Sequence, residues 1–355
     1  MLCHAGPGGS SRIALRLADA LVERGHQVSV VPSGPWQTTL EPTWDSWRLA
    51  QLEHRVESAI RDNEVQVMHY HYAWPFALMV RSLKRRLGSA APLFVGTLHG
   101  TDVTHPPDED AIAALRHTDE WTTVSQPYAV LAGERLGLER RPTVVPNFVG
   151  AAQLAPSLDF VEAGRRPRLV HISNFRPVKD PQGVAEIFAA VREQVDAELW
   201  LIGDGPELPR VTAALRRTGV ERDVRVLGYR ADVGQLLAEC DVLVMSSLEE
   251  SFCLAALEAM AAGLAVVGTA VGGFAELAEQ GRSAMLYAQG DYAAAAQLVT
   301  RLLTDHPHRL RLRRAAAERS LAFSVTAAVE GYEAVYGPAL ASQRLLPTRR
   351  QSGTR

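Results

Sequence analysis

Two carboxylates, Glu250 and Glu258, flank the run Ser251-Phe252-Cys253-Leu254-Ala255-Ala256-Leu257. The strand-like Asp241-Val242-Leu243-Val244-Met245 precedes them, and Phe252 to Ala262 has the composition of a helix. Glu250 therefore stands ahead of a helix and Glu258 inside it. A helix N-terminus carries unpaired N–H groups and partial positive charge, which suits a diphosphate, and carboxylates on either side can accept hydrogen bonds from sugar hydroxyls. The pair reads as a sugar-nucleotide clamp. Taken alone, the spacing fits a surface helix with two solvated glutamates better, so the decision rests on the other motifs.

Several turns supply them. Gly6 to Ser11 lies between a short strand and a helix starting near Ile13, where Gly8, Gly9 and Ser10 would let an anion approach the backbone. His99 and Asp102, in Leu98-His99-Gly100-Thr101-Asp102, follow the strand Leu93 to Thr97, at the end where open α/β sheets bind ligands. Asn174, Arg176 and Lys179 belong to another turn, whose two cations could neutralise a diphosphate leaving group. Gly203, Asp204 and Gly205 form a turn open enough for a base or ribose, and Val271-Gly272-Gly273 adds a further one. His69 and His71 share one side if extended, but a zinc pair there lacks a third ligand of clear spacing. Asp108-Glu109-Asp110 reads as a solvated helix start rather than a metal site.

The elements that must position these residues come in two series. Strand-like runs at 27–31, 65–69, 93–97 and 143–145 alternate with helices, and after Gly150 to Pro167 the pattern restarts with runs at 168–172, 198–202, 224–227, 242–245 and 265–268. The fold class is α/β, with two Rossmann-like domains facing a central cleft. The expected division is an N-terminal acceptor domain over 1–150, a linker over 151–167, a donor domain over 168–322, a C-terminal helix over 323–340 packing back on the N-terminal domain, and a disordered tail over 341–355. The strand before the first glycine turn is short, which raises the expectation that translation starts upstream of Met1. With 355 residues, a net charge of -3 and three cysteines without paired spacing, the sequence argues against nucleic acid as a partner and for a reducing, cytoplasmic setting. No apolar run reaches membrane-spanning length. Arg309, Arg311, Arg313, Arg314 and Arg319 read as a solvated helix face.

In this order, Gly8-Gly9, His99, the Asn174-to-Lys179 loop, Gly203-Asp204-Gly205-Pro206, Glu250 with Glu258, and Val271-Gly272-Gly273 resemble the retaining nucleotide-sugar glycosyltransferases of family 4, whose fold is of GT-B type. The resemblance covers nearly the whole chain. His69-Tyr70-His71-Tyr72-Ala73, Thr97 to Asp102, Pro146-Asn147-Phe148 and His171-Ile172-Ser173-Asn174-Phe175-Arg176 are similar, more narrowly, to the branch that joins N-acetylglucosamine to L-malate in bacillithiol biosynthesis. The resemblance implies UDP-N-acetylglucosamine as donor substrate, L-malate as acceptor, retention at the anomeric carbon, and neither cofactor nor metal. It places Glu250 on donor-sugar hydroxyls, Glu258 on the ribose, and Lys179 with Arg176 or Asn174 on the diphosphate. Ser251, Phe252, Cys253 and Leu254 fall in the donor clamp, and His99 on the donor sugar. Gly8, Gly9 and Ser10 sit under the phosphates and acceptor, with Tyr72, Thr101, Asp102 and Asn147 on the acceptor side. No protein nucleophile is then required.

Three departures from the family stand out. Cys253 replaces the usual glycine after Phe, Gly263-Leu264-Ala265-Val266 replaces a Gly-Val-Pro-Val-like turn, and Ala284 replaces a later glycine. A thiol at a helix N-terminus is expected to have a lowered pKa, which would make Cys253 open to oxidation. The rival readings are a family 4 transferase with a sugar, polysaccharide or lipid acceptor, a UDP-sugar epimerase, and a non-catalytic nucleotide-sugar binder. A dinucleotide oxidoreductase is disfavoured, because no G-x-G-x-x-G with an acidic residue about twenty positions on is present. A homo-oligomer is compatible with the sequence.

Overall fold

The structure, a computed structural model, describes residues 1–5, 8–35, 46–106, 108–150 and 165–341. It divides into two compact units: one holds Met1–Val124, Tyr128–Val145 and the segment from Thr326, the other Ser125–Pro127 and Pro146–Val325. Residues 151–164 of the expected linker and 342–355 of the expected tail lie outside the described residues, as do Gly6 and Pro7.

The first unit is a parallel sheet of β1 (Leu2–Ala5), β2 (Val31–Pro35), β3 (Val67–His71), β4 (Leu93–Leu98), β5 (Glu120–Thr123) and β6 (Thr143–Val144), in the order β2-β1-β3-β4-β5-β6. The second contains β7 (Arg168–Ile172), β8 (Glu198–Ile202), β9 (Val224–Gly228), β10 (Val242–Met245), β11 (Ala265–Thr269) and β12 (Met285–Tyr287), in the order β12-β11-β10-β7-β8-β9. Parallel strands covered by helices on both faces lose the polar alternation of half-exposed strands. Val242, Leu243, Val244 and Met245 are accordingly all buried. The helix Val325–Ala341 packs within the first unit, as expected: Tyr332 is buried there, and Arg24 pairs with Glu333 at 2.8 Å.

Some boundaries differ from the sequence reading. Strand β2 begins where the expected run 27–31 ends, and β3 is shifted two residues toward its C-terminus. Pro32 and Pro35 hide β2 from propensity, yet they are tolerated because, among the described residues, β2 is an edge strand hydrogen-bonded only to β1. Strands β5 and β12 are short and went unforeseen.

The arginine cluster is a correction. Arg311 and Arg314 are exposed, but Arg309 and Arg313 are buried. Arg309 Nη1 donates to the carbonyls of Leu302 and Leu303 at 3.1 and 3.2 Å, at the end of the helix Tyr292–Thr304. Arg313 Nε donates to Gly263 O, just past the helix Leu254–Ala261 that carries Glu258, and Arg319 Nε to Leu277 O at 3.0 Å, at the end of the helix Gly272–Leu277. Helix C-termini leave carbonyls unpaired and carry partial negative charge, so cations are drawn there. Sequence spacing shows the charges but not the carbonyl ends that meet them.

Replacing Arg313 by Ala should destabilise the protein by about 2–4 kcal/mol, because a buried carbonyl loses a charged donor, whereas the exposed Arg311→Ala should stay within about 0.5 kcal/mol. Thermal unfolding of both variants checks this; equal midpoints would show that the Arg313 contact carries no stability.

Candidate active site

Strand order in the second unit runs one way from β7 through β8 to β9 and the other way from β10 through β11 to β12. The crevice beyond the carboxyl ends of strands at such a reversal is where open α/β sheets bind ligands. The loops after β7 and β10 bring Lys179 and Glu250 together there: Lys179 Nζ donates to Glu250 Oε1 at 2.8 Å, and Ser247 Oγ donates to the same oxygen at 2.8 Å. Glu250 is 5% exposed. Burial pulls the Lys179 pKa down, but the charge and hydrogen bond of Glu250 outweigh it and the ammonium ends above its ordinary value. The loops are also tied directly, Leu248 N to Val178 O at 2.9 Å and Ser246 Oγ to Asp180 O at 2.6 Å.

Beyond Glu250 the chain is held by its backbone. Gly273 N donates to Glu250 O at 2.7 Å and Ser125 Oγ to Ser251 O at 2.7 Å. A Cβ on Gly273 would stand 1.9 Å from Ser251 O, so glycine is required for this approach. Phe252 is buried edge-on against Phe323 at 5.5 Å between ring centroids, and Leu254 opens the helix in which Glu258 is 2% exposed.

The loop Ser173 to Lys179 has a single consistent proton arrangement. His171 Nδ1 lies 2.9 Å from Val244 O, which can only accept, so this nitrogen carries the proton. Nε2 then accepts from Ser173 Oγ at 2.9 Å, and Ser173 Oγ accepts from Phe175 N at 3.1 Å. Phe175 is thereby fixed at φ 41°, with Asn174 exposed and Arg176 half-buried on either side. Gly203 and Gly205, expected to admit a base or ribose, instead admit this loop: Cβ atoms there would stand 1.8 Å from Ser173 O and 1.9 Å from Asn174 O. Asp204 is exposed and caps Gly205 N at 2.8 Å.

The first unit gathers a different set. Gly8 precedes and Gly9 opens the helix Gly9–Glu23, with Ser10 in its first turn. Tyr72 Oη and Thr101 Oγ1 are 2.6 Å apart, and His99 Nε2 lies 3.0 Å from His71 Nδ1. His69 bridges Tyr336 Oη at 2.6 Å and Thr97 Oγ1 at 2.7 Å. His71, Tyr332, Tyr336, Ser247 and Ser125 were not singled out for these roles. Only the shared side of His69 and His71 was legible, from strand periodicity. Among the described residues, no group of three or more His, Cys, Asp or Glu could hold a metal ion, and no helix is long and apolar enough to cross a membrane.

Residues 7–153 match the family described as glycosyltransferase family 4, and residues 166–305 that described as glycosyl transferases group 1. The N-acetyl-alpha-D-glucosaminyl L-malate synthase of Bacillus anthracis is 31% identical over 94% of this chain and 95% of its own. The chain belongs to the family 4 glycosyltransferases. Among solved structures, a glycosyltransferase from Rickettsia africae aligns with TM-score 0.79 at 15% identity, over 96% of this chain and 98% of its own. Anabaena HepE in complex with UDP aligns with TM-score 0.74 at 19% identity, over 95% and 99%. These likenesses give the transferase its fold, two parallel-sheet α/β units of GT-B type.

Three expectations for this transferase need correction. Asp102 is fully buried, and its carboxylate accepts from His99 N at 3.0 Å, Gly100 N at 2.7 Å and Ala73 N at 3.1 Å; it holds the His99 loop in place of facing an acceptor. Asn147 belongs to the second unit rather than the acceptor domain; it is buried, and its Oδ1 has no hydrogen-bond partner among the described residues. Cys253 stands at φ 72°, ψ 70°, the left-handed region that favours glycine, which accounts for the family's usual residue there. Its thiol pKa is raised, not lowered, because burial and then the Glu250 carboxylate disfavour the thiolate. Easy oxidation at Cys253 is therefore not supported.

Buried titratable groups make the transferase acid-sensitive. Burial pushes His171 down to about 4 from 6.5, and His69 and His71 well below 6.5. Each stays neutral when folded but takes a proton when unfolded, so its contribution is full above pH 6.5 and lost as pH falls toward the folded value. For His171 this amounts to about 3 kcal/mol. Asp102, raised by burial from 3.8 to about 6, acts oppositely, contributing below its unfolded value and losing that contribution as pH rises through 6. Three histidines outweigh one aspartate, so the urea midpoint should fall between pH 6.5 and 4. A midpoint that holds or rises over that range would show that the histidines are not buried neutral.

Proposed function

We propose that this family 4 glycosyltransferase moves N-acetylglucosamine from UDP-N-acetylglucosamine to L-malate, with retention and without a metal, in the cytoplasm, as the first step of bacillithiol biosynthesis. The observation that carries this reading is the likeness to the Bacillus anthracis N-acetyl-alpha-D-glucosaminyl L-malate synthase over nearly the full length of both chains. HepE, of the same fold, was solved with UDP.

In this reading Lys179, Arg176 and Asn174 face the diphosphate, Glu258 the ribose, and Glu250 the sugar hydroxyls through Oε2, because Oε1 is engaged by Lys179 and Ser247. His99 faces the donor sugar, and Gly8, Gly9, Ser10, Tyr72 and Thr101 the phosphates and acceptor. The malate hydroxyl oxygen forms its bond to the anomeric carbon on the face from which UDP departs, as the bond from that carbon to the β-phosphate oxygen breaks. The departing oxygen takes the hydroxyl proton. Lys179 and Arg176 supply the positive charge that the leaving diphosphate needs, so positioning and charge stabilisation carry the rate.

Purified protein incubated with UDP-N-acetylglucosamine and EDTA should release UDP only when L-malate is present, and mass spectrometry and NMR should show an α-linked malate glycoside. Lys179→Met should lower kcat/KM by about 100-fold or more. UDP release that ignores malate would overturn the acceptor, and a requirement for divalent cation would overturn the metal-independent mechanism.

A further inference from the structure

His71 ends β3 and His99 lies one residue beyond β4. Their rings meet edge to edge, with centroids 5.2 Å apart, planes 27° from parallel and His71 Nδ1 3.0 Å from His99 Nε2. Both are held from behind. Tyr72 N donates to Thr97 O at 2.9 Å, which continues the β3–β4 ladder past His71, and His99 N donates to Asp102.

The proton between the two rings can be placed. His71 is 1% exposed, with the His69 ring centroid 4.3 Å away and that of Tyr332 6.3 Å away. Burial, and then His69 and His99, drive its pKa far below the ordinary value, so the ring is neutral and carries one proton. His71 Nε2 is buried and has no hydrogen-bond partner among the described residues. A proton on Nε2 would leave a buried N–H without an acceptor, which native proteins avoid more strictly than an under-used acceptor. A proton on Nδ1 meets the His99 nitrogen directly.

We propose that His71 is a positioning residue that donates its Nδ1–H to His99 Nε2 and so fixes His99 as the tautomer carrying its own proton on Nδ1. One ring nitrogen's hydrogen bond sets the protonation of the other. The basic lone pair of His99 is then engaged by His71, so His99 acts in recognition rather than as a general base. This rests on the placement of His99 at the donor sugar.

Two measurements test it. Long-range 1H–15N correlation spectra of the wild type, with His99 assigned by loss of its signals in His99→Gln, should show Nδ1 protonated and Nε2 bare. In the transfer assay, His71→Leu and His71→Gln should each lower kcat by about 10-fold with the KM for malate little changed, while His71→Asn, whose amide N–H takes the place of Nδ1–H, recovers most of the loss. A spectrum with His99 protonated on Nε2, or a His71→Asn variant no better than His71→Gln, overturns the proposal. The spectrum needs no substrate, so it decides the tautomer even if the donor and acceptor prove to be different or a His71 variant fails to fold.

Discussion

The second unit of this transferase depends on one ion pair, half-buried Lys179 with buried Glu250. A carboxylate withdrawn from water is costly unless it is paired and hydrogen-bonded, and removing one partner leaves an uncompensated charge. The pair joins two loops that leave neighbouring strands, β7 and β10, whose register sets Leu169 opposite Val242 and Val170 opposite Leu243. Strand pairing, loop length and ion pair thus agree on one geometry. A sheet whose order reverses between these strands has its open crevice at the same place, so fold and electrostatics converge on one point.

Close backbone approach then supports the loops that carry the pair. Gly203 and Gly205 accept the Ser173–Asn174 backbone, and Gly273 accepts the Ser251 carbonyl, at distances no Cβ could share. Each contact fixes a loop that carries a charged or polar group. The buried arginines act one layer further out, where Arg313 and Arg319 cap the ends of the helices that carry Glu258 and Gly273. A charge on the protein's outer helix is thereby tied, through a carbonyl, to the position of a residue in the site.

How much of this was legible depends on whether the signal was local. Apolar runs such as Val242 to Met245 announce buried strands, and the composition of Phe252 to Ala262 announces the helix, so the placement of Glu250 before it and Glu258 within it follows from sequence. Glycines are ambiguous by nature. The permissiveness that lets a ligand approach also lets another loop approach, and only the structure shows that Ser173 and Asn174 fill the space beside Gly203 and Gly205. Asp102 misled for a related reason: a carboxylate beside a strand end serves a ligand or its own backbone equally well, and three amides claim it here. Arg309 and Arg313 look solvated because their carbonyl partners, Leu303 and Gly263, stand at the ends of other helices, 6 and 50 residues away.

The histidine layer of the first unit carries its buried polarity as neutral groups, unlike the charged Lys179–Glu250 pair: His69 and His71 are held far below their ordinary pKa and Tyr332 is pushed up to about 12, each chiefly by burial. A neutral layer selects by the direction of each hydrogen bond, because a misplaced donor or acceptor leaves a buried group unpaired at about 1–3 kcal/mol. That suits hydroxyl groups. It supplies no counter-charge for a dicarboxylate, so the acceptor proposed above needs cationic partners from another part of the first unit. The helix Gly9–Glu23 offers a positive N-terminal end at the Gly8–Ser10 turn and carries Arg12 and Arg16 within its first two turns. On that reading the histidine layer attends to sugar hydroxyls, and the first helix is the element whose charge decides which acid can serve as acceptor.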